Sequence, residues 1–463
     1  MSRIVGWAVI LVLANVVADV VVGSPMMVIP QLLDRFDTDE AAWLTTSALL
    51  AGAVWSPLLA RAADIHGRRK VLVFALALAC GGALICVAAT SLWVFLMGRF
   101  LQGAAFAVVF LSVALVLNVC SSRVATVMVG IVTSASSVVG IVEPVVMKPI
   151  IDDFGPRSVF VVAAVLAAVS ALGVRVLVPE SSVRSRARLD VVGALLLGGG
   201  LSAVLASVSV GADAGQLSLE MVWLVVAGGV ALAAWCFRSS RSSDPIIDLR
   251  VVSRRLVLTL VALLLAAGSF RSMLQLMGVI AYVPAERGLG YGLGSGEAVA
   301  ALFAVANLGI AVGGVGAGWL ALRVGSEFVL LGGVAVGAVA TVAMTVGVSA
   351  LPVALVCGAL MGVAAGAIGA AGYTVAMKSA AEDSQATVAG LVSVVVAVGS
   401  VLVTIVGAEV LEATRIPDAV VSGAPVSTAT GVQVYVSAAG VLLALAALPA
   451  TVLARGRGAR AAS

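Results

Sequence analysis

The chain has 463 residues, of which 62% are hydrophobic and only 11% are charged. Roughly a quarter of the residues in a soluble domain carry a charge, so this chain has too few charged side chains to cover a surface in water. The composition excludes a soluble protein and predicts one that crosses a membrane many times. The net charge of +4 fits the orientation of such a protein and indicates no nucleic-acid partner.

Fourteen apolar segments meet or approach the ~20 residues that a helix needs to cross a bilayer. We predict that the first is a spanning helix and not a cleaved signal, because it is too long and contains Asp19. The predicted spans are residues 5–33, 41–60, 71–91, 93–119, 124–151, 157–178, 190–212, 219–237, 256–284, 297–322, 327–348, 351–377, 386–411 and 432–454.

Two polar stretches, residues 179–190 and 238–255, bracket one pair of spans and leave six spans on either side. We therefore predict an all-α membrane protein with two six-helix bundles and an inserted two-helix hairpin, as in transporters built from repeats. The N-terminal bundle is predicted to comprise residues 1–178, and residues 179–255 to form a linker with two extra transmembrane helices. Residues 256–463 are predicted to form the C-terminal bundle and a short basic tail.

Lysine and arginine residues concentrate in alternate loops of this arrangement. Cytoplasmic loops carry the excess of basic residues, so the pattern predicts that both termini are cytoplasmic. The expected location is the inner membrane of a prokaryote.

Charged residues interrupt the apolar spans at a few positions. Asp19 lies in the first span one helical turn after Asn15, so the two side chains share a face. Arg99, in the fourth span, keeps its proton and requires a partner. Such residues mark ion pathways in membranes, so we expect Asp19 to respond to protons or substrate, with Arg99 as a partner. The alternative is that both are hydrogen-bonding anchors between helices.

The fifth span ends in GIVEPVVMKP, residues 140–149, which holds a carboxylate, an ammonium group and two prolines. A proline removes a backbone donor and can kink a helix. Pro144 and Pro149 are therefore predicted to form a hinge in this helix.

Glu143 lies near the outer end of the same span. A charged side chain in hydrocarbon costs ~2 kcal/mol or more, which favours a functional role. We predict that Glu143 belongs to an outer gate and pairs with Arg99, or alternatively with Arg415, when the gate is closed. The remaining interpretation is that Glu143 reaches the outer water together with Lys148.

The ninth span carries Arg271 near its middle and Gln275 one turn later. The symmetry of two similar bundles places this basic residue opposite the acids of the first bundle. Arg271 is predicted to be a counter-ion for Asp19 or a ligand for an anionic substrate. The alternative is a packing arginine that donates to backbone carbonyls.

The loop after the second span reads ARAADIHGRRKVL, residues 60–72. Asp64 ends a helix, Gly67 permits a tight turn, and the basic run Arg68, Arg69 and Lys70 holds the loop inside. This loop resembles the signature G-x-L-A-D-R-x-G-R-R/K between helices two and three of the major facilitator superfamily. The resemblance implies that these five residues form a latch between two bundles.

Other stretches extend the resemblance over almost the whole chain. GAGWLALRVGSE (316–327) is similar to a second copy of the loop signature, and MGRFLQGAAFA (97–107) is similar to the family's R-x-x-Q-G motif. PIIDLRVVSRR (245–255) and LGYGLGSGEA (289–298) resemble the fourteen-helix drug:proton antiporter branch. The fifth span departs from that branch, whose G-x-x-x-G-P-x-x-G-G run has a glycine where this chain has Glu143.

The resemblance implies a secondary active transporter that exports small hydrophobic or amphipathic compounds by alternating access and proton exchange. The alternatives are an exporter of an endogenous metabolite or lipid and a proton-coupled importer. No phosphate-binding loop, metal-ligand spacing or nucleophile–base pair is visible, so we expect no cofactor, no metal and no enzymatic activity. The expected partners are a small-molecule substrate, protons and the lipid bilayer, and the expected state is a monomer.

Overall fold

The fold is known from a computed structural model of the chain. It describes residues 2–38, 41–181, 184–185, 188–214, 219–242, 244–245, 253–281, 283–284, 289–293, 296–421 and 424–461, with some side chains in these ranges left out. Thirteen helices in this part of the chain are long and apolar enough to cross a membrane. The chain is therefore an all-α membrane protein, as predicted.

The helices before the first polar stretch are α1 (Ser2–Met26), α2 (Ile29–Phe36), α3 (Ala41–His66), α4 (Arg68–Ala88), α5 (Leu92–Gln102), α6 (Ala107–Val119), α7 (Ser122–Phe154) and α8 (Ser158–Leu177). A 3₁₀ turn, Gly103–Phe106, joins α5 to α6, and together they make one span. The inserted hairpin consists of α9 (Val191–Ala214) and α10 (Leu219–Arg241).

The remaining helices are α11 (Arg254–Ala281), α12 (Gly296–Ala321), α13 (Ser326–Gly347), α14 (Leu351–Lys378), α15 (Gln385–Ala413) and α16 (Ala429–Ala461). Two short antiparallel strands, β1 (Arg415–Val421) and β2 (Ala424–Ser427), lie between α15 and α16. The sequence analysis did not anticipate this hairpin.

The fourteen predicted spans all fall on these helices. The seventh falls on α9, where the sufficiently apolar part, 191–207, is shorter than the other thirteen spans, so the count of fourteen is approximate. The first span ends at Met26 and not at residue 33. Met27 and Val28 form a turn there, and the separate helix α2 starts with a proline in its first turn.

The short helix α2 is held to the end of α4 by Arg35, whose guanidinium donates to the carbonyl of Ala89. Burial lowers the pKa of Arg35, and the like charge of Arg157 lowers it further. α2 is therefore anchored where the chain leaves the first span.

The described residues form two compact units. The first comprises Met1–Met128, Val142–Ser253 and Met377–Val394, and the second comprises Val129–Ile141, Arg254–Ala376 and Val395–Ser463. The start of α15 thus belongs to the first unit, and the middle of α7 belongs to the second. In the second unit, Tyr435 and Ser272 share a hydrogen bond within an apolar core that includes Met277 and Met344.

The inserted hairpin packs on the first unit through a close approach of α9 and α3. Ser202 donates to the carbonyl of Leu50 at 2.7 Å. A Cβ atom added at Gly198 would lie 2.5 Å from the Cα of Val54, whereas one added at the adjacent Gly199 would meet nothing within 4 Å. A small residue is therefore required at Gly198 and not at Gly199.

Gly198→Ala is expected to destabilise the protein by about 1–3 kcal/mol, because the backbone of α3 cannot yield to the added methyl group. Gly199→Ala is the matched control and is expected to be neutral or slightly stabilising, since alanine is the better helix former. Thermal unfolding of the two purified variants in detergent checks this. Equal melting temperatures would show that α9 does not pack on α3 in this way.

Candidate functional site

A buried polar cluster lies where α5 meets α1 in the first unit. Arg99 is fully buried, and its Nη1 donates to the carbonyl of Val21 at 2.7 Å and to Oε1 of Gln102 at 3.0 Å. Val21 lies two residues after Asp19, so the guanidinium contacts α1 close to the predicted acid. Asn15 is also fully buried, and its amide donates to the carbonyl of Leu11 at 2.7 Å.

The charge of Arg99 is not fully compensated by these contacts. Its Nε and Nη2 make no hydrogen bond within the described part of the chain. Burying a guanidinium with unmade hydrogen bonds is costly, so a stability role alone explains it poorly. Gln102 was not among the predicted site residues. The sequence feature that could have identified it is the R-x-x-Q-G motif, whose glutamine lies one turn after Arg99 on the same helix face.

Glu143 occupies a second polar contact in the first unit, between α7 and α1. Its carboxylate accepts a hydrogen bond from the hydroxyl of Ser24, which is itself buried. A Cβ added at Gly23 would lie 2.5 Å from Oε2 and 2.9 Å from Oε1 of Glu143. The carboxylate can sit there only because residue 23 is glycine. Arg99, the partner predicted for Glu143, donates its hydrogen bonds to Val21 and Gln102 in this structure. The sequence analysis did not identify Ser24.

The rest of the stretch 140–149 lies on one continuous helix. α7 runs from Ser122 to Phe154 and stays helical on both sides of Pro144 and Pro149. Lys148 and Pro149 are exposed, whereas the side chain of Pro144 is outside the described residues. The hinge at these prolines stays a prediction.

Asp64 caps the start of α15. Its carboxylate is buried and accepts hydrogen bonds from the backbone N–H of Ala386 at 3.1 Å and from the backbone N–H and hydroxyl of Thr387, both at 2.8 Å. A carboxylate at a helix N-terminus satisfies unpaired N–H groups and complements the helix dipole. Asp64 therefore ties α3 to α15 inside the first unit.

Arg68 binds the same junction from α4. It is fully buried, and its Nη2 lies 3.4 Å from Oδ1 of Asp64 and donates to the carbonyl of Glu382 at 2.7 Å. Its Nη1 donates to the carbonyl of Ala114 at 2.9 Å and to Oε1 of Gln385 at 3.2 Å. Arg68 neutralises Asp64 and also contacts the turn that precedes α15.

A second carboxylate caps α4 itself. Glu180 accepts hydrogen bonds from the backbone N–H groups of Arg69 at 2.9 Å and Lys70 at 3.2 Å, and its Oε2 lies 3.8 Å from Nε of Arg69. Gly67 has φ +108°, and a Cβ there would lie 2.9 Å from Cδ of Glu180. The sequence analysis placed Glu180 in a polar linker and gave it no role, although it lies only two residues after the end of the sixth predicted span.

Two further predicted site residues belong to the second unit. Arg271 and Gln275 lie on α11, with side chains outside the described residues, so their predicted roles stay predictions. In the part of the chain that the structure describes, no three His, Cys, Asp or Glu side chains lie close enough together to hold a metal ion.

In the described part of the chain, thirteen helices are long and apolar enough to cross a membrane, and the family comparison agrees with a polytopic membrane protein. Residues 11–404 match the sequence model of the Major Facilitator Superfamily, so the chain belongs to this family. The resemblance that the loop motif indicated is confirmed. This family consists of membrane transporters, which agrees with the expectation of a transporter and not an enzyme.

Two relatives with known names match parts of the chain. The uridine/deoxyuridine transporter of Lactococcus lactis subsp. cremoris is 29% identical over 317 residues, which cover 66% of this chain and 65% of that protein. Multidrug resistance protein Stp of Mycobacterium tuberculosis is 29% identical over 213 residues, which cover 46% of this chain and 40% of that protein. The matches thus span less than two thirds of the length of either relative.

A solved structure supports the same fold. The human organic anion transporter MFSD10 (TETRAN) superposes with a TM-score of 0.64 over 97% of this chain and 99% of that chain, at 17% sequence identity. At that identity the likeness shows the architecture and carries no information about the substrate.

Proposed function

We propose that this transporter exports small hydrophobic or amphipathic compounds in exchange for protons by alternating access. It acts as a monomer in the inner membrane, with both termini cytoplasmic. The observation that carries the proposal is the fully buried Arg99, which contacts α1 two residues from Asp19. A cation and a carboxylate within neighbouring membrane-spanning helices are typical of a proton pathway. The similarity to a multidrug resistance protein supports the export of foreign compounds.

In this mechanism Asp19 takes up a proton or binds a cationic substrate, and Asn15 lies one turn away on the same face. A small displacement between α1 and α5 changes the position of Arg99 relative to Asp19, and this couples proton uptake to the transport cycle. Arg271 keeps the role predicted from the sequence, a counter-ion or a ligand for an anionic substrate, and Gln275 lies one turn after it on α11. Asp64 and Arg68 hold the start of α15 in one of the two states, and Glu180 fixes the turn at Gly67.

The test is transport by the purified protein in proteoliposomes under an imposed pH gradient. A lipophilic cation such as ethidium is expected to accumulate against its gradient, and adding it to the detergent-solubilised protein is expected to release protons. Ethidium movement that does not depend on the pH gradient would remove proton exchange from the proposal.

A second candidate is proton-coupled uptake of a nucleoside, which the similarity to a uridine/deoxyuridine transporter favours. The same proteoliposomes distinguish the two, because labelled uridine would then move in the direction of the protons. A knockout assayed for both drug susceptibility and metabolite secretion tests the remaining alternative, export of an endogenous metabolite or lipid.

The contact between Glu143 and Ser24 is assigned to the outer gate. Glu143→Gln and Gly23→Ala are both expected to weaken it, the first by removing the charge and the second by displacing the carboxylate. A hydrogen bond to a charged group contributes ~1.5–3 kcal/mol, so the open population is expected to rise about tenfold or more. Labelling of Val28→Cys, a buried position beside α7, by a membrane-impermeant maleimide measures this in a background without native cysteines.

The matched control for Gly23→Ala is Gly6→Ala on the same helix, where an added Cβ would meet nothing within 4 Å. Gly6→Ala is expected to leave both labelling and export unchanged. If Glu143→Gln behaves like Gly6→Ala, Glu143 only reaches the outer water and the gate assignment is dropped.

A further inference from the structure

A groove with a volume of about 310 Å³ lies in the second unit, where α11 and α13 begin and α16 ends. Its lining includes the apolar residues Leu258, Val452 and Leu453 and the charged residues Arg254, Arg255 and Glu327. All three helices have their ends on the side of the membrane that the basic loops predict to be cytoplasmic. The groove therefore lies at the level of the headgroups of the inner leaflet.

The charges in this groove favour an anion. Arg255 forms an ion pair with Glu327, so the one acid in the lining is already used. Arg254 is exposed, and so is Arg455, which is not a lining residue but directly precedes the lining residue Gly456 on α16. Both arginines in the first turn of α11 oppose the helix dipole. Glu327 offsets Arg255, whereas the position of Arg254 is unfavourable for a cation unless a further anion lies beside it. The N–H groups of that first turn add to the same attraction.

The combination of basic and apolar residues in this lining matches one class of ligand. We propose that the groove binds a phospholipid with an anionic headgroup from the inner leaflet, as a resident lipid and not as transported substrate. Its phosphate lies against Arg254 and the start of α11, and the upper part of an acyl chain lies on Leu258 and Val452. A guanidinium group can donate two parallel hydrogen bonds to the oxygens of one phosphate. Basic pockets between membrane spans recognise lipid headgroups of this kind. A volume near ~300 Å³ is at the small end for ligand sites and suits a headgroup better than a whole lipid.

The experiment is competition between phosphatidylglycerol and phosphatidylcholine for the purified full-length protein, measured as the ratio of bound lipids by native mass spectrometry. The wild-type protein is expected to retain phosphatidylglycerol selectively. Arg254→Gln is expected to reduce this preference about fivefold, the equivalent of one basic residue at a membrane surface. Val452→Trp is expected to reduce it as well, because the ring fills the groove without changing its charge. Val452 is 43% exposed, so this substitution leaves the core intact.

Arg175→Gln is the matched control, since Arg175 is an exposed arginine in the last turn of α8, outside the groove. It is expected to leave the lipid preference unchanged. An equal loss in Arg175→Gln and Arg254→Gln would show general attraction to the surface and overturn the proposal. Displacement of phosphatidylglycerol by inorganic phosphate, with no effect of Val452→Trp, would identify a site for a free anion and overturn it too.

Discussion

Asp19→Asn is expected to abolish accumulation against a gradient while the protein still reaches the membrane. Asparagine keeps the shape of the side chain and its hydrogen-bonding capacity, but it cannot carry a proton or a negative charge. Exchange of labelled for unlabelled substrate at equal concentrations needs no net proton movement, and this exchange is expected to persist. Proteoliposomes with and without a pH gradient measure both activities on one preparation.

Asp34→Asn is the control for this substitution, because Asp34 is an exposed acid on α2. It is expected to transport as the wild-type protein does. If Asp19→Asn still accumulates substrate against a gradient, Asp19 is an anchor between helices and the proton pathway lies elsewhere.

Asp64→Ala is expected to destabilise the protein by about 3–5 kcal/mol, because it leaves the fully buried Arg68 without its carboxylate. The loss of the cap on α15 is part of this effect. Asp64→Asn is expected to lie between the wild type and Asp64→Ala, since an amide can still accept from Thr387 but cannot neutralise Arg68. Thermal or denaturant unfolding in detergent measures the series.

The pair of Asp190 and Arg238 provides the comparison, with Nη2 of Arg238 2.9 Å from Oδ1 of Asp190 and the arginine 45% exposed. The Asp190 side chain is only 6% exposed, but Arg238 stays in contact with water and asparagine can still accept from the N–H of Gly193, so Asp190→Asn is expected to cost less than Asp64→Ala. The double variant Asp64→Ala with Arg68→Gln is expected to cost less than the sum of the single variants. Additive losses would mean that the two residues stabilise the protein independently.

The sequence predicted those parts of the fold that depend on composition along a single helix. Hydropathy located the spans, and the loop ADIHGRR identified Asp64, Gly67 and Arg68 as residues of interest, but the contact by which Asp64 caps α15 was not predicted. The strands β1 and β2 were missed, although RIPDAVV and APVS are separated by the turn-forming pair Ser422-Gly423. The sequence was searched for long apolar spans, so the two short strand-like stretches between the last two spans were not recognised.

Contacts between helices were harder to predict. The depth of Glu143 was accessible from its position in the span, but its contact with Ser24 depends on the rotation of α7 and on the absence of a side chain at Gly23. Glu180 was missed for a similar reason, because its role is visible only once the end of α8 meets the start of α4. The depth of a residue in the membrane follows from counting residues along its span. The neighbour that its side chain contacts depends on the rotation of two helices, which one sequence does not give.

The cap that Asp64 places on α15 has a consequence for biosynthesis. Asp64 and Thr387 are separated by 323 positions in the chain. At the ~5–20 residues per second of translation, the carboxylate spends roughly 16 to 65 s in or near the membrane before the ribosome has made its partner. Arg68, only four positions away, is made almost at once and can neutralise it throughout. The short-range ion pair can therefore form long before Thr387 is made, whereas the first unit is complete only when residue 394 has been added.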